Sequence, residues 1–378
     1  MPPKKICFSC PTTLLRRPIA DLAKKLRRDH ICILLPRDYI KGLNTIHLNK
    51  VKSVKVNSYP TINPPKLSIE WPIPIRPFFL LRYYRLLKNY DIIHMWVPFY
   101  ISNTSLIILK RLFFPFKKIY LTMDTFPGLS FKMGKTLNFF FQFYYNSIGK
   151  LIFPSINKLI LYNQTSKSYA LKIGVPEKKI EVLPTGVDIQ VKIATKNIRE
   201  EFNINADEKI ILFVGILNPR KGIDTIIEIA KQFKNKKVKF IIVGGGSKIK
   251  HYKKNTYQNK IDCVIFTGFR RDVYNFYTTA DIFLFPSKGE GLPGVLMECM
   301  VYGVPIVASN VTGNLDLIEN EVNGFLCEEE DINDYADKIN RLLTNEILRE
   351  KFIRNSKKVV KEKYNWANNI KSYLKIYE

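Results

Sequence analysis

A chain of 378 residues exceeds one ordinary hydrophobic core and suits two domains, and 46% hydrophobic with 25% charged residues excludes a disordered tail or a fibrous repeat. The formal charge of +27 is uneven: residues 1–190 hold 30 Lys and Arg against nine Asp and Glu, a net of +21. That excess attracts phosphate, whether of nucleic acid, anionic lipid or a pyrophosphate-linked substrate, and charge alone does not choose among them. Six cysteines, Cys7, Cys10, Cys32, Cys263, Cys299 and Cys327, lie scattered in apolar runs and read as buried thiols. The Cys7–Cys10 spacing has no second pair at ligand distance, which argues against a metal or redox site.

In chain order, the first residues predict a strand over 6–10, a helix over 18–28 and a strand over 30–35, the unit of a parallel sheet. No signal peptide is expected, because the apolar stretch after Lys4 and Lys5 ends after about five residues. The Pro-rich stretch 60–77 predicts an extended loop, since proline removes helical hydrogen bonds. Short buried strands follow at 92–94 and 119–123. The segment 137–153 combines Phe139, Phe140, Phe141, Phe143, Tyr144, Tyr145 and Ile148 with lysines at its ends, and two readings stand open: a core helix or a helix lying on a membrane surface. Arg111, Lys117, Lys118, Lys150 and Lys158 interrupt the longest apolar regions, so no bilayer crossing and a cytoplasmic location are expected, with peripheral attachment to an anionic membrane compatible with the charge. A strand at 158–162 and a helix at 166–173, stopped by Gly174 and Pro176, close the first half.

A domain boundary is placed near residue 190, giving domains 1–190 and 191–360, with 361–378 as a helix crossing back to the first. In the second domain strands at 210–214, 239–243, 264–267, 282–285 and 305–308 alternate with helices at 222–233, 273–279 and 294–302, ahead of a helical region from Asp331 to the end. The expected class is α/β with doubly wound sheets.

The most informative segment is Pro286-Ser287-Lys288-Gly289-Glu290-Gly291-Leu292-Pro293-Gly294-Val295-Leu296-Met297-Glu298. It places one carboxylate before a glycine-rich turn and another eight positions on, inside the next helix. Such a turn at a strand's carboxyl end offers helix N–H groups to a phosphate, and carboxylates accept hydrogen bonds from sugar or ribose hydroxyls.

This segment resembles the E-x7-E region of retaining glycosyltransferases of family 4. Val214-Gly215-Ile216-Leu217-Asn218-Pro219-Arg220-Lys221-Gly222, Val243-Gly244-Gly245-Gly246, Thr267-Gly268-Phe269 and Gly303-Val304-Pro305-Ile306-Val307-Ala308-Ser309 fall in the family's order, and Gly313 and Asn323-Gly324-Phe325-Leu326 complete it. The resemblance implies two Rossmann-like doubly wound domains facing a cleft, the GT-B fold, and transfer of a hexose from a nucleotide diphosphate sugar, with retention and without a metal, to a saccharide or lipid-linked acceptor at a membrane. It assigns Lys221 to the leaving diphosphate, Glu298 to the ribose and Glu290 to the transferred sugar. Gly215, Arg220, Gly244, Gly268, Phe269, Gly291, Gly294, Val295 and Leu296 are implied to complete the donor site. No D-x-D metal motif stands in the chain.

Several positions depart from that pattern. Ile216 stands where the family has Arg, and Arg220 is a candidate substitute if it reaches inward, although adjacent residues are expected to point apart. Thr185 replaces an Asn, and Asp316 a Glu. Pro11-Thr12-Thr13 replaces a glycine pair, which puts the acceptor side in question. Asp124 aligns with a His; it suits a site role on the acceptor or a helix or turn cap. His94 suits the end of a strand facing the crevice or the core. A nucleotide-sugar epimerase on the same scaffold is the alternative enzyme. A basic nucleic-acid-binding protein is the other reading, but no helix-turn-helix, zinc finger or RNA-binding signature appears, so no nucleic-acid partner is expected.

Overall fold

Near-continuous apolar runs such as Ile-Cys-Phe-Ser and Ile-Ile-Leu-Phe-Val suit strands covered on both faces, and parallel sheets supply that burial. In the computed structural model, which describes residues 4–378 except 13–15, 27–30, 37–53, 60, 63–72, 75–78, 131–133 and 247, the chain forms two units, Met1–Thr185 with Ala367–Glu378 and Gly186–Trp366.

The first unit contains β1 (Ile6–Ser9), β2 (Ile31–Pro36), β3 (Val54–Tyr59), β4 (Thr61–Ile62), β5 (Ile73–Pro74), β6 (Ile92–Trp96), β7 (Lys118–Met123), β8 (Lys158–Leu161) and β9 (Ile180–Val182). Seven of them make a sheet in the order β3-β2-β1-β6-β7-β8-β9, parallel throughout, while β4 and β5 form a separate antiparallel pair. That pair falls in the Pro-rich stretch, where an extended loop is expected; much of the stretch lies outside the described residues, as do the ends predicted at Arg28 and His30.

The sequence pattern does not disclose β3, β9 or the helices Phe79–Asn89 and Ile101–Phe113. The last carries Ser, Thr and several β-branched residues in its first two turns, a composition that local preference places equally well in a strand; packing decides it. The segment 137–153 is two helices, Lys135–Asn146 and Ile148–Ile152, rather than one. Phe141, Tyr144 and Tyr145 are buried, and Phe99 meets all three rings edge-on with centroids 5.1 to 5.5 Å apart. Phe139, Phe140 and Phe143 point out, so this helix serves the core with one face only.

His94 lies inside β6, fully buried, not at a strand end facing outward. Its Nε2 meets the Thr122 hydroxyl at 2.7 Å, its Nδ1 meets the Tyr377 hydroxyl, and its ring stacks on Trp96 with centroids 4.2 Å apart. Tyr377 ends the helix Trp366–Tyr377, whose last eleven residues belong to this unit; Tyr373 donates to the Leu183 carbonyl at 2.9 Å, and Tyr120 to that of Ile376 at 2.9 Å. The C-terminal helix is thus pinned by buried polar contacts as well as by apolar packing.

The second unit is a six-stranded parallel sheet of β10 (Lys209–Val214), β11 (Val238–Val243), β12 (Val264–Gly268), β13 (Ile282–Phe285), β14 (Ile306–Ser309) and β15 (Phe325–Cys327), in the order β12-β11-β10-β13-β14-β15. The helical region after Asp331 is three helices, because the Asn345 side chain caps a new start by accepting from the Leu348 amide, and Tyr364 ends the second.

Burial pushes the His94 pKa down to about 3 from its ordinary 6.5, so the folded unit holds it neutral. Its contribution is complete above pH 6.5 and is lost as the pH falls toward 3. Denaturant unfolding of this unit is expected to lose about 2 kcal/mol from this residue between pH 7 and pH 5, and a His94→Gln variant should lack that share of the slope.

Candidate functional site

The strand order of the second sheet reverses between β10 and β13, all strands staying parallel. At such a switch point the loops leaving neighbouring strands part, and ligands bind at the carboxyl edge. Both loops singled out by the sequence, residues 215–222 and 286–293, leave from this point.

After β10, Asn218 accepts from the Lys221 amide at 3.2 Å and opens a 3-10 turn, Pro219–Lys221. Successive residues of a 3-10 turn are about 120° apart rather than opposed, and here both basic side chains reach the other loop. Lys221 Nζ lies 2.7 Å from Glu290 Oε1, and Arg220 Nη1 lies 3.8 Å from the same oxygen while donating to the Gly289 carbonyl at 2.5 Å. The expectation that the two neighbours point apart is therefore corrected.

Gly222 makes the approach possible. Its φ is +71°, and a Cβ there would stand 1.9 Å from the Pro286 carbonyl oxygen; the Lys288 amide bonds to the Arg220 carbonyl at 2.8 Å beside it. Gly244, at φ +144°, brings the turn after β11 equally close to Gly215, whose carbonyl oxygen a Cβ would meet at 1.8 Å. The Gly244 amide bonds to the Gly268 carbonyl at 2.9 Å, so the turns after β10, β11 and β12 interlock through backbone. Ile216 and Phe269, beside them, are exposed.

Glu290 is buried, and the Lys221 side chain is only 14% exposed. Burial and the Arg220 charge push the Lys221 pKa down, and Glu290 pulls it back up. The ammonium also sits 4.9 Å from the Phe285 ring centroid. Gly294 opens the helix Gly294–Tyr302 after Pro293, with no side chain capping its first turn, so the helix start presents its dipole toward this edge. Gly291 is buried, Val295 is half-buried, and Leu296 turns its side chain into the core while its amide bonds to the Pro293 carbonyl at 3.1 Å. Glu298, one turn along, accepts from the Tyr277 hydroxyl at 2.8 Å. The two carboxylates thus have separate partners.

In the first unit Asp124 follows β7. Its Oδ2 meets Arg16 Nη1 at 2.6 Å, and its Oδ1 is buried without a hydrogen-bond partner among the described residues. It caps no helix. Arg16 was invisible to sequence reasoning because 108 positions separate the pair; Tyr277 and Phe285, the partners of Glu298 and Lys221, were equally unmarked.

Two family profiles match the chain: Glycosyltransferase Family 4 over residues 19–191 and Glycosyl transferases group 1 over residues 194–359. An uncharacterized glycosyltransferase of Methanocaldococcus jannaschii is 30% identical, covering 86% of this chain and 84% of its own. The Campylobacter jejuni N,N'-diacetylbacillosaminyl-diphospho-undecaprenol alpha-1,3-N-acetylgalactosaminyltransferase is 27% identical over 96% of this chain and 94% of its own. Among solved structures, Anabaena Alr3699/HepE in complex with UDP and glucose superposes with a TM-score of 0.78 at 18% identity, over 99% of each chain, which shows the shared fold.

Glu290→Gln removes the one neighbour that raises the Lys221 pKa, while burial and Arg220 continue to lower it. The Lys221 ammonium should then deprotonate at lower pH than in the wild type, measured by nitrogen-detected NMR of labelled lysine side chains against Lys221→Met for assignment.

Proposed function

The chain belongs to the glycosyltransferases of family 4, and from that membership we propose a retaining, metal-independent hexosyltransferase that moves a sugar from a nucleotide diphosphate to a lipid-linked saccharide at the cytoplasmic surface of a membrane. The observation that carries the reading is the convergence of Lys221 and Arg220 on the Glu290 loop at the switch point of the second sheet.

Breaking a glycosyl–phosphate bond leaves negative charge on the departing diphosphate. Fixed cations and helix N–H groups stabilise that charge without reorganising during the reaction. Lys221, Arg220 and the uncapped start of the helix Gly294–Tyr302 are such groups, and they supply the role a divalent ion plays elsewhere. Arg220 takes the place of the cation that Ile216 does not provide. Glu298, held through one oxygen by Tyr277, binds ribose hydroxyls; Glu290 binds hydroxyls of the sugar in transit and keeps Lys221 charged meanwhile. The acceptor hydroxyl attacks on the face that the phosphate vacates, and its proton passes to the departing phosphate oxygen. Asp124, anchored by Arg16, accepts a hydrogen bond from an acceptor hydroxyl through Oδ1, the oxygen that Arg16 does not engage. The donor is thus served by the Gly186–Trp366 unit and the acceptor by the other. The C. jejuni relative, whose name specifies a diphospho-undecaprenol acceptor, and the Anabaena structure, which holds UDP and glucose, support a nucleotide-sugar donor and a lipid-linked acceptor.

The test is transfer from a panel of nucleotide sugars to short-chain lipid diphosphate saccharides, with and without chelator. Turnover should survive chelation, and NMR of the product should show the donor's anomeric configuration; an inverted product would sink the retaining assignment. Lys221→Met should lower kcat about 100- to 1,000-fold with unchanged circular dichroism. Asp124→Asn should raise the acceptor KM while leaving nucleotide affinity alone; equal damage to both would deny Asp124 its acceptor role.

A further inference from the structure

The first unit carries an outward apolar face that its own core does not use. On the helix Lys135–Asn146 the inward rings are already packed against Phe99, yet Phe139 is 72% and Phe143 59% exposed, with Phe140 also exposed. Leu151, on the helix that follows, is 59% exposed, and Ile108 and Leu112 of the helix Ile101–Phe113 are exposed as well. These helices lie side by side: Arg111 donates to the Leu151 carbonyl at 3.4 Å, Lys110 to that of Ser155 at 3.0 Å, and Thr104 meets the Tyr144 hydroxyl at 3.2 Å. Ile108 and Leu112 are four positions apart on one helix, and Phe139 and Phe143 on another, so each pair projects from a single side. An apolar surface of this kind in water marks a contact site.

Charge identifies the partner. Residues 92–176 contain ten Lys and Arg and one acidic residue, Asp124, and that carboxylate is paired with Arg16. Lys135, Arg111 and Lys150 are exposed beside the apolar side chains. Aromatic and aliphatic groups rimmed by basic ones, in a stretch whose one carboxylate is paired, match a bilayer that presents anionic headgroups above its acyl chains. Among the described residues no helix is long and apolar enough to cross a membrane, so contact through this face is interfacial.

We propose that Phe139, Phe143, Leu151 and Leu112, with their basic rim, form the surface by which this protein docks on anionic phospholipid. The inference deepens the reading of a membrane-presented acceptor and rests on it. Docking concentrates the enzyme in the plane where a lipid-linked saccharide resides, and it leaves the chemistry of the transfer untouched.

The test uses the full chain and vesicles of phosphatidylcholine with or without phosphatidylglycerol. The wild type should float with phosphatidylglycerol vesicles, not with pure phosphatidylcholine, and binding should weaken in high salt. Phe139→Ser/Phe143→Ser/Leu151→Ser should bind about tenfold more weakly or worse, and Lys135→Glu/Lys150→Glu should also weaken binding. Both variants should retain wild-type turnover of a soluble short-chain acceptor and lose turnover of a long-chain acceptor in vesicles. Wild type that ignores anionic vesicles, or a triple variant that binds them fully, overturns the proposal. So does sedimentation showing a dimer that the triple substitution dissolves, which would assign the face to a second copy. Absence of transfer to the soluble acceptor by the wild type would instead strike the activity itself, a separate result.

Discussion

Two loops leave the second sheet on either side of its reversal and approach so closely that Gly222 has no room for a Cβ against the Pro286 carbonyl. The carboxyl edge of the second sheet is arranged around that contact. It brings a 3-10 turn carrying Arg220 and Lys221 against a loop carrying Glu290, and the Lys288 amide ties the two backbones together. A methyl group at 222 would have to push them apart, and with them the cation and the carboxylate.

The resulting ion pair is poorly explained as a stabilising device. Taking an ammonium and a carboxylate out of water costs more than their attraction often returns, and burial already lowers the Lys221 pKa. Ser287 Oγ and Asn314 Oδ1 are also buried without hydrogen-bond partners among the described residues, each at a cost of about 1–3 kcal/mol. Polar groups held at such expense at the carboxyl edge of a sheet suit ligands rich in hydroxyl and phosphate groups, which is the chemistry expected of a nucleotide sugar.

The first unit solves a different problem. Its interior polar groups, His94, Thr122 and Tyr377, satisfy one another and secure the C-terminal helix. Its solvent-facing aromatics do not contribute to that core. Asp124 stands apart from both sets, one oxygen engaged by Arg16 and the other buried without a hydrogen-bond partner among the described residues. The carboxyl edge of the second sheet is therefore held by backbone interlock, whereas in the first unit one carboxylate is fixed by a distant arginine.

Much of this was legible from the chain alone. Alternation of short apolar runs with helical periods specified α/β architecture, because strands covered on both faces admit few polar residues; the order of glycine turns and carboxylates marked the two loops that meet after β10 and β13. Local pattern could not reveal β3, β9 or the helix Ile101–Phe113, whose compositions suit more than one state until neighbours cover them. Nor could it tell that Arg220 and Lys221 turn to the same loop, since that depends on one 3-10 turn. The pairing of Arg16 with Asp124, the burial of His94 and the split of one aromatic helix into a packed side and an exposed side are products of tertiary structure. Each joins groups far apart in sequence or divides groups adjacent in it, and only the folded sheet decides which side chains share a neighbourhood.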